Sequence, residues 1–117
     1  MAEAGIASRA KSGVIGPEQV ILKVQELRCV LCAQDMDMTA VYLYGSYAAG
    51  TADADSDIDV AVISPDLTGD RLQDWVRLTT LATRLDVRFE VIGFRPEQFR
   101  DEHPLAWEVK TRGILVQ

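Results

Sequence analysis

Gly45, Ser46, Asp57 and Asp59 are the residues of this sequence whose types and spacing can do chemistry together. Carboxylates at i and i+2 of an extended segment point to the same side, so Asp57 and Asp59 can offer oxygen ligands to hard divalent cations. Gly45 carries no Cβ and lets a phosphate approach the backbone. Ser46 can donate its hydroxyl at the start of a helix, where free N–H groups favour an anion. Two cations held beside a chain of phosphates can stabilise both the attacking and the departing oxygen of a displacement at phosphorus.

Each part of this constellation also has a plainer reading. Gly-Ser after a strand is an ordinary turn, and an aspartate-rich loop is an ordinary solvated loop. Their combination at this spacing is what favours a site. Asp53, Asp55, Asp57 and Asp59 also mimic the first ligands of a calcium-binding EF-hand loop. That loop requires Gly at its sixth position and Glu at its twelfth, where this chain has Ile58 and Ser64. Asp53 and Asp55 are accordingly expected to be solvated loop residues. Cys29 and Cys32 form a C-x-x-C string inside a helical pattern, with no second cysteine pair and with His103 far away. They read as reduced thiols serving as small hydrophobes. His103, just ahead of Pro104, reads as a helix-start residue, and Trp75 and Trp107 as packing residues within helices.

The elements that must position these residues follow from hydrophobic periodicity. Pro17 suits a first helical turn, and Val20, Val24, Leu27 and Leu31 predict a helix over 17–34 with one buried stripe. Leu22, Cys29, Cys32 and Ala33 form a second apolar group on roughly the opposite side, which a homodimer or a heteromeric contact is expected to cover. The stretch 39–44 (TAVYLY) predicts a strand ending at Gly45, followed by a short helix or turn over 46–51 and a second strand over 57–64. Apolar residues at helical spacing predict a long helix between Asp70 and Leu85, capped by Thr68 or Asp70. The alternating stretch 86–92 (DVRFEVI) predicts a third strand, with Val87, Phe89 and Val91 on one face and Asp86, Arg88 and Glu90 on the other. A short helical turn is expected over 96–100 and a longer helix over 104–112, ended by Gly113. This order implies an α/β domain, a small mixed sheet backed by helices. We expect residues 1–16 to be a flexible N-terminal arm and 17–117 to be the folded domain.

At 117 residues and 48% hydrophobic composition, the chain is the size of one domain with one core. Its net charge of −6 argues against unaided binding of nucleic acid, whose protein partners usually present a basic face. No apolar run after Arg9 and Lys11 reads as a signal peptide or a membrane span, so a cytoplasmic protein without membrane contact is expected.

Gly45-Ser46, ten intervening residues, and Asp57-x-Asp59, with a strand on either side, resemble the nucleotidyltransferase superfamily that includes DNA polymerase β. Within it they look most like the minimal nucleotidyltransferases. That resemblance implies transfer of a nucleoside monophosphate, AMP from ATP, to an acceptor hydroxyl with release of pyrophosphate. Gly45 and Ser46 would hold the β- and γ-phosphates. Asp57, Asp59 and a third carboxylate on the neighbouring strand would bind magnesium or manganese. Register makes Glu90 the third acid, which would also help to deprotonate the acceptor; Asp86 is the reserve, and a surface ion pair with Arg88 is the alternative for Glu90. The sequence departs from the family pattern in having Glu rather than Asp as the third acid, and Tyr47, Ala48 and Ala49 where members often carry an arginine. Minimal nucleotidyltransferases also resemble one half of toxin–antitoxin modules whose partner is a small helical HEPN-type protein. The resemblance therefore supports either an enzyme acting on a partner or a non-catalytic subunit covering one.

Overall fold

The computed structural model describes residues 15–117. The arm expected over 1–16 thus falls outside the described residues except for Ile15 and Gly16. In chain order the elements are α1 (Pro17–Ala33), β1 (Ala40–Tyr44), α2 (Gly45–Ala49), β2 (Ile58–Ile63), α3 (Arg71–Ala82), β3 (Phe89–Phe94), a 3-10 turn (Pro96–Gln98), α4 (Pro104–Arg112) and β4 (Ile114–Leu115). The four strands form one mixed sheet in the order β3-β2-β1-β4. β1 runs antiparallel to β2 and β4, whereas β2 and β3 are parallel and joined by α3.

The period-2 alternation of the strands divides the core between two faces. Val41, Leu43, Ile58, Val60, Val62, Phe89 and Val91 meet the α1 stripe Val20, Val24, Leu27 and Leu31, together with Leu78 and Ala82 of α3. Ala61, Ile63, Ile92 and Phe94 meet Ala106 and Val109 of α4, with Tyr42, Tyr44 and Phe99 beside them. The fold class is the one the pattern predicts, because both faces of the central strand β2 are apolar and both are covered.

The ends of the elements have local causes. Asp70 caps α3, its carboxylate accepting from the N–H groups of Leu72 and Gln73 at 3.0 and 3.1 Å. Thr68 supports that cap by accepting from the Asp70 N–H at 3.0 Å. The buried Asp74 carboxylate accepts from the Thr68 N–H and hydroxyl and the Gly69 N–H, which satisfies it and fixes the loop entering α3. The Thr79 hydroxyl pairs with both backbone groups of Val91, covering the open edge of β3. His103 is the start of α4, its Nδ1 lying 3.2 Å from the Leu105 N–H.

The structure corrects several expectations. β3 begins at Phe89, so Asp86 and Arg88 do not share a strand face with Glu90, and Val87 is 84% exposed. The Asp86 carboxylate accepts from the Arg88 backbone N–H at 2.9 Å, a local turn that competes with extended pairing. The pattern did not foretell β4, whose two residues pair with Tyr42 and Leu43. Gly113 ends α4 in an extended conformation and not in the left-handed one. A Cβ there would collide with the Val109 carbonyl of the helix's own last turn and lie 3.2 Å from the Leu43 carbonyl, so glycine suits the tight meeting of α4 with β1. Among the described residues α1 is covered on one side, and the group expected to meet a second copy or a partner is open: Leu22 is 63% exposed, and Cys29, Cys32 and Ala33 are exposed, with both thiols free. Trp75 and Trp107 are partly exposed instead of core residues. No helix among the described residues is long and apolar enough to cross a membrane.

Candidate active site

The site lies where β1 ends and β2 and β3 begin, on the sheet face that α4 covers. Antiparallel register sets Tyr44 opposite Asp59, and parallel register sets Asp59 beside Glu90. Residues paired in this way present their side chains on one face. Asp57 precedes β2 by one residue and returns to that face. Carboxylate oxygens of Asp57, Asp59 and Glu90 all lie within 4.8 Å of one another. Ligand oxygens on opposite sides of a magnesium ion are about 4 Å apart, so small side-chain rotations would let all three bind one ion.

Gly45 is built into the same arrangement. It turns the chain from β1 into α2 with φ +74°, a left-handed conformation, and a Cβ on it would collide with the Asp59 carboxylate. The Gly-Ser and Asp-x-Asp parts of the sequence are therefore one packed unit. Ser46 follows at the first turn of α2. Both residues line an open cleft of about 420 Å³ with Ala49, Thr51, Glu108 and Arg112.

The electrostatics are those of an uncompensated acidic cluster. Among the described residues no side chain donates a hydrogen bond or an ion pair to Asp57, Asp59 or Glu90. The Asp59 carboxyl is pushed up to about 6, first by burial and then by the negative charges of Glu90, Asp57 and Glu108. Burial and the charges of Asp59, Glu90 and Glu108 raise the Tyr44 phenol well above its usual range, against an opposing effect of Arg71, so it stays protonated. Hard oxygen donors, converging geometry and an unpaid charge are what a divalent cation would satisfy, and the residues fit such an ion.

Asp86, the reserve acid, is elsewhere and is fully engaged. Its carboxylate takes two side-chain hydrogen bonds from Arg88, at 3.0 and 2.8 Å, and an ion pair from Lys23 at 3.1 Å. Asp53 holds its own loop by accepting from the Asp55 N–H and the Ser56 hydroxyl, and Asp55 is exposed. Tyr44, Glu108 and Arg112 join the site without having been singled out in the sequence. Glu108 and Arg112 lie at i and i+4 of α4, a helical spacing that puts them on one side but does not say which strand they reach.

The polymerase beta nucleotidyltransferase family matches residues 29–116 of this chain. A curated relative, the protein adenylyltransferase MntA of Shewanella oneidensis, is 40% identical over 55 residues, which is 47% of this chain and 39% of that protein. The chain thus spans about two fifths of the relative's length in that match. Among solved structures, a toxin–antitoxin complex with AMP-PNP superposes with TM-score 0.60 at 29% identity, covering 83% of this chain and 72% of the other. A mutant of the MntA–HpeT toxin–antitoxin superposes with TM-score 0.58 at 28% identity, over 80% of this chain and 70% of the other. A nucleotidyltransferase-like protein from Sulfolobus solfataricus shares the fold, with TM-score 0.52 at 16% identity over 87% of this chain and 86% of its own.

Proposed function

This chain belongs to the polymerase beta nucleotidyltransferase family, and from that premise we propose that it transfers AMP from ATP to a hydroxyl on a partner protein. The observation that carries the reading is the convergence of Asp57, Asp59 and Glu90 beside Gly45, with no cationic side chain paired to them among the described residues. Magnesium or manganese bound by these carboxylates would supply charge neutralisation along the phosphates. Gly45 and Ser46 seat the β- and γ-phosphates, the glycine by leaving its Cα bare and the serine through its hydroxyl. Asp57 and Asp59 orient the triphosphate. Glu90, on the adjacent strand, also accepts the proton of the acceptor hydroxyl. Catalysis is then mainly positioning and electrostatic stabilisation.

A protein acceptor is favoured by what surrounds the site. The cleft is open, and the net charge of −6 suits neither RNA nor DNA. α1 and α3 expose apolar side chains, Leu22 at 63%, Leu72 at 68% and Val76 at 49%, of the kind that mark contact with another protein or a second copy. The solved toxin–antitoxin neighbours support a partner protein, and the resemblance of the sequence to minimal nucleotidyltransferases favours a small helical one of the HEPN type. The domain doing this work is residues 17–117, and the cytoplasm, where ATP is available, is its proposed compartment.

The test incubates the protein, magnesium and labelled ATP with a small helical protein encoded beside it, with tRNA and with an aminoglycoside-like alcohol, and reads label by mass. Label on the partner protein is the expected result. Label on only the alcohol or the RNA overturns the protein acceptor. A tight complex with no label on any acceptor replaces the enzyme with a non-catalytic, antitoxin-like subunit.

A further inference from the structure

The acidic site described above raises a problem of charge. A triphosphate brings several negative charges, and three carboxylates with Glu108 nearby already repel them. Cations held by Asp57, Asp59 and Glu90 would offset this repulsion beside the carboxylates, none of which lines the cleft of Gly45 and Ser46. A phosphate seated in that cleft would gain from a positive group of the chain itself.

Among the described residues Arg112 is the one cationic side chain lining that cleft, and it shares the cleft wall with Gly45 and Ser46. It is exposed, and among the described residues it makes no hydrogen bond, ion pair or ring contact. Other basic groups around this face are committed. Lys110, also in the last turn of α4, is paired with Asp101 at 3.0 Å and lies over the Phe99 ring, and Arg71 lies over the Phe94 ring with its guanidinium 2.9 Å from His103. The placement of Arg112 is also built in. At Gly113, the next residue, a Cβ would lie 3.2 Å from the Leu43 carbonyl, a tight contact, so α4 ends close against β1 two residues before Gly45. A cation in the last helical turn could serve only to complement the helix dipole, but that role would not require this close seating against the strand that carries the Gly-Ser turn.

We propose that Arg112 binds the terminal phosphate of the nucleoside triphosphate and makes the site prefer triphosphate to diphosphate. This rests on the nucleotide reading of the Gly45–Asp59 site. The guanidinium donates to γ-phosphate oxygens beside Ser46 and the Gly-Ser turn, which seat the β- and γ-phosphates.

The test is calorimetric titration of the full chain with magnesium-ATP and magnesium-ADP, in the wild type, Arg112→Gln and Arg112→Lys. The wild type should prefer ATP. Arg112→Gln should bind ATP about tenfold to a hundredfold more weakly and ADP unchanged, which erases the preference. Arg112→Lys, a point charge without the planar fork, should fall between. Unchanged binding of both nucleotides by Arg112→Gln would make Arg112 a helix-end cation only. Equal weakening of both would place it away from the terminal phosphate, and a matching melting temperature without ligand would show that the fold is not the cause. If the wild type binds neither nucleotide, the nucleotide reading itself fails; if it binds ATP and Arg112→Gln binds it as well, this inference alone fails.

Discussion

Asp86 and Glu90 stand four residues apart, yet their carboxylates meet opposite surroundings. Asp86 receives Arg88 through both side chain and backbone and Lys23 as well, and these hold its carboxyl well below the usual carboxylate range. Glu90 faces Asp59 and Asp57, and the Asp59 carboxyl is pushed up to about 6 by burial and its acidic neighbours. A satisfied acid stabilises the fold on its own. An unsatisfied group of acids lowers stability until something from outside arrives, and such groups concentrate at functional sites. The difference lies in which partners the register supplies, not in residue type.

The largest effect expected from breaking this contrast is at the unsatisfied end. Asp57→Asn together with Asp59→Asn should abolish the rise in melting temperature that magnesium-ATP gives the wild type. A ligand at a hundred times its Kd stabilises the native state by about 2.7 kcal/mol, a shift of several degrees in a domain this size. An undiminished shift in the double variant would mean that the nucleotide binds away from the acidic cluster.

Gly45→Ala sharpens the same point through the backbone. Alanine must adopt φ +74° and its Cβ must displace the Asp59 carboxylate, at a cost of about 1–3 kcal/mol. Chemical denaturation should report that loss, and the magnesium-ATP shift should fall with it. A variant as stable as wild type that still binds would show that Asp59 is free to move.

The contrast also explains what could be read in advance. β1, β2 and α4, with Asp57 and Asp59 at the start of β2, were legible because alternation, a proline and a Gly-Ser turn each act locally. Glu90 was legible through register, since β2 and β3 are both apolar on two faces and fit side by side in few ways. The stretch 86–88 misled, because Val87 between two charged residues mimics strand alternation while the Asp86 side chain folds the backbone into a turn. Glu108 and Arg112 were illegible. Their place depends on how closely α4 approaches β1, which the glycine at 113 permits and no periodicity reports.

Asp86→Asn tests the satisfied end. Because the folded-state carboxyl is held low, its contribution is present above the ordinary carboxylate range near pH 4 and is lost as pH falls below it. The variant should lose about 1–2 kcal/mol at pH 7, a figure discounted because Lys23 and Arg88 are partly exposed. The gap between wild type and variant should begin to narrow as pH falls below 4 and go on narrowing at more acid pH. A constant gap across that range would assign the loss to packing and not to charge.

The smallest effect has the opposite sign and is the most discriminating. With Asp59 raised to about 6 in the fold against an ordinary value near 4, the ionised form is the one the fold penalises. Stability from the neutral carboxyl is therefore full below about pH 4 and is lost as pH rises through 6, so the metal-free protein carries the penalty at pH 8. Asp59→Asn removes that charge and should stabilise the metal-free protein at pH 8 by roughly 1 kcal/mol after allowance for its partial exposure, with almost no gain at pH 4. Adding magnesium should reverse the order, because only the wild type retains the full set of ligands and gains from the ion. The measurement is a set of denaturation midpoints at both pH values, with and without magnesium. If Asp59→Asn destabilises the metal-free protein at pH 8, as Asp86→Asn is expected to do at pH 7, then Asp59 is a satisfied structural acid and the contrast between the two neighbourhoods disappears.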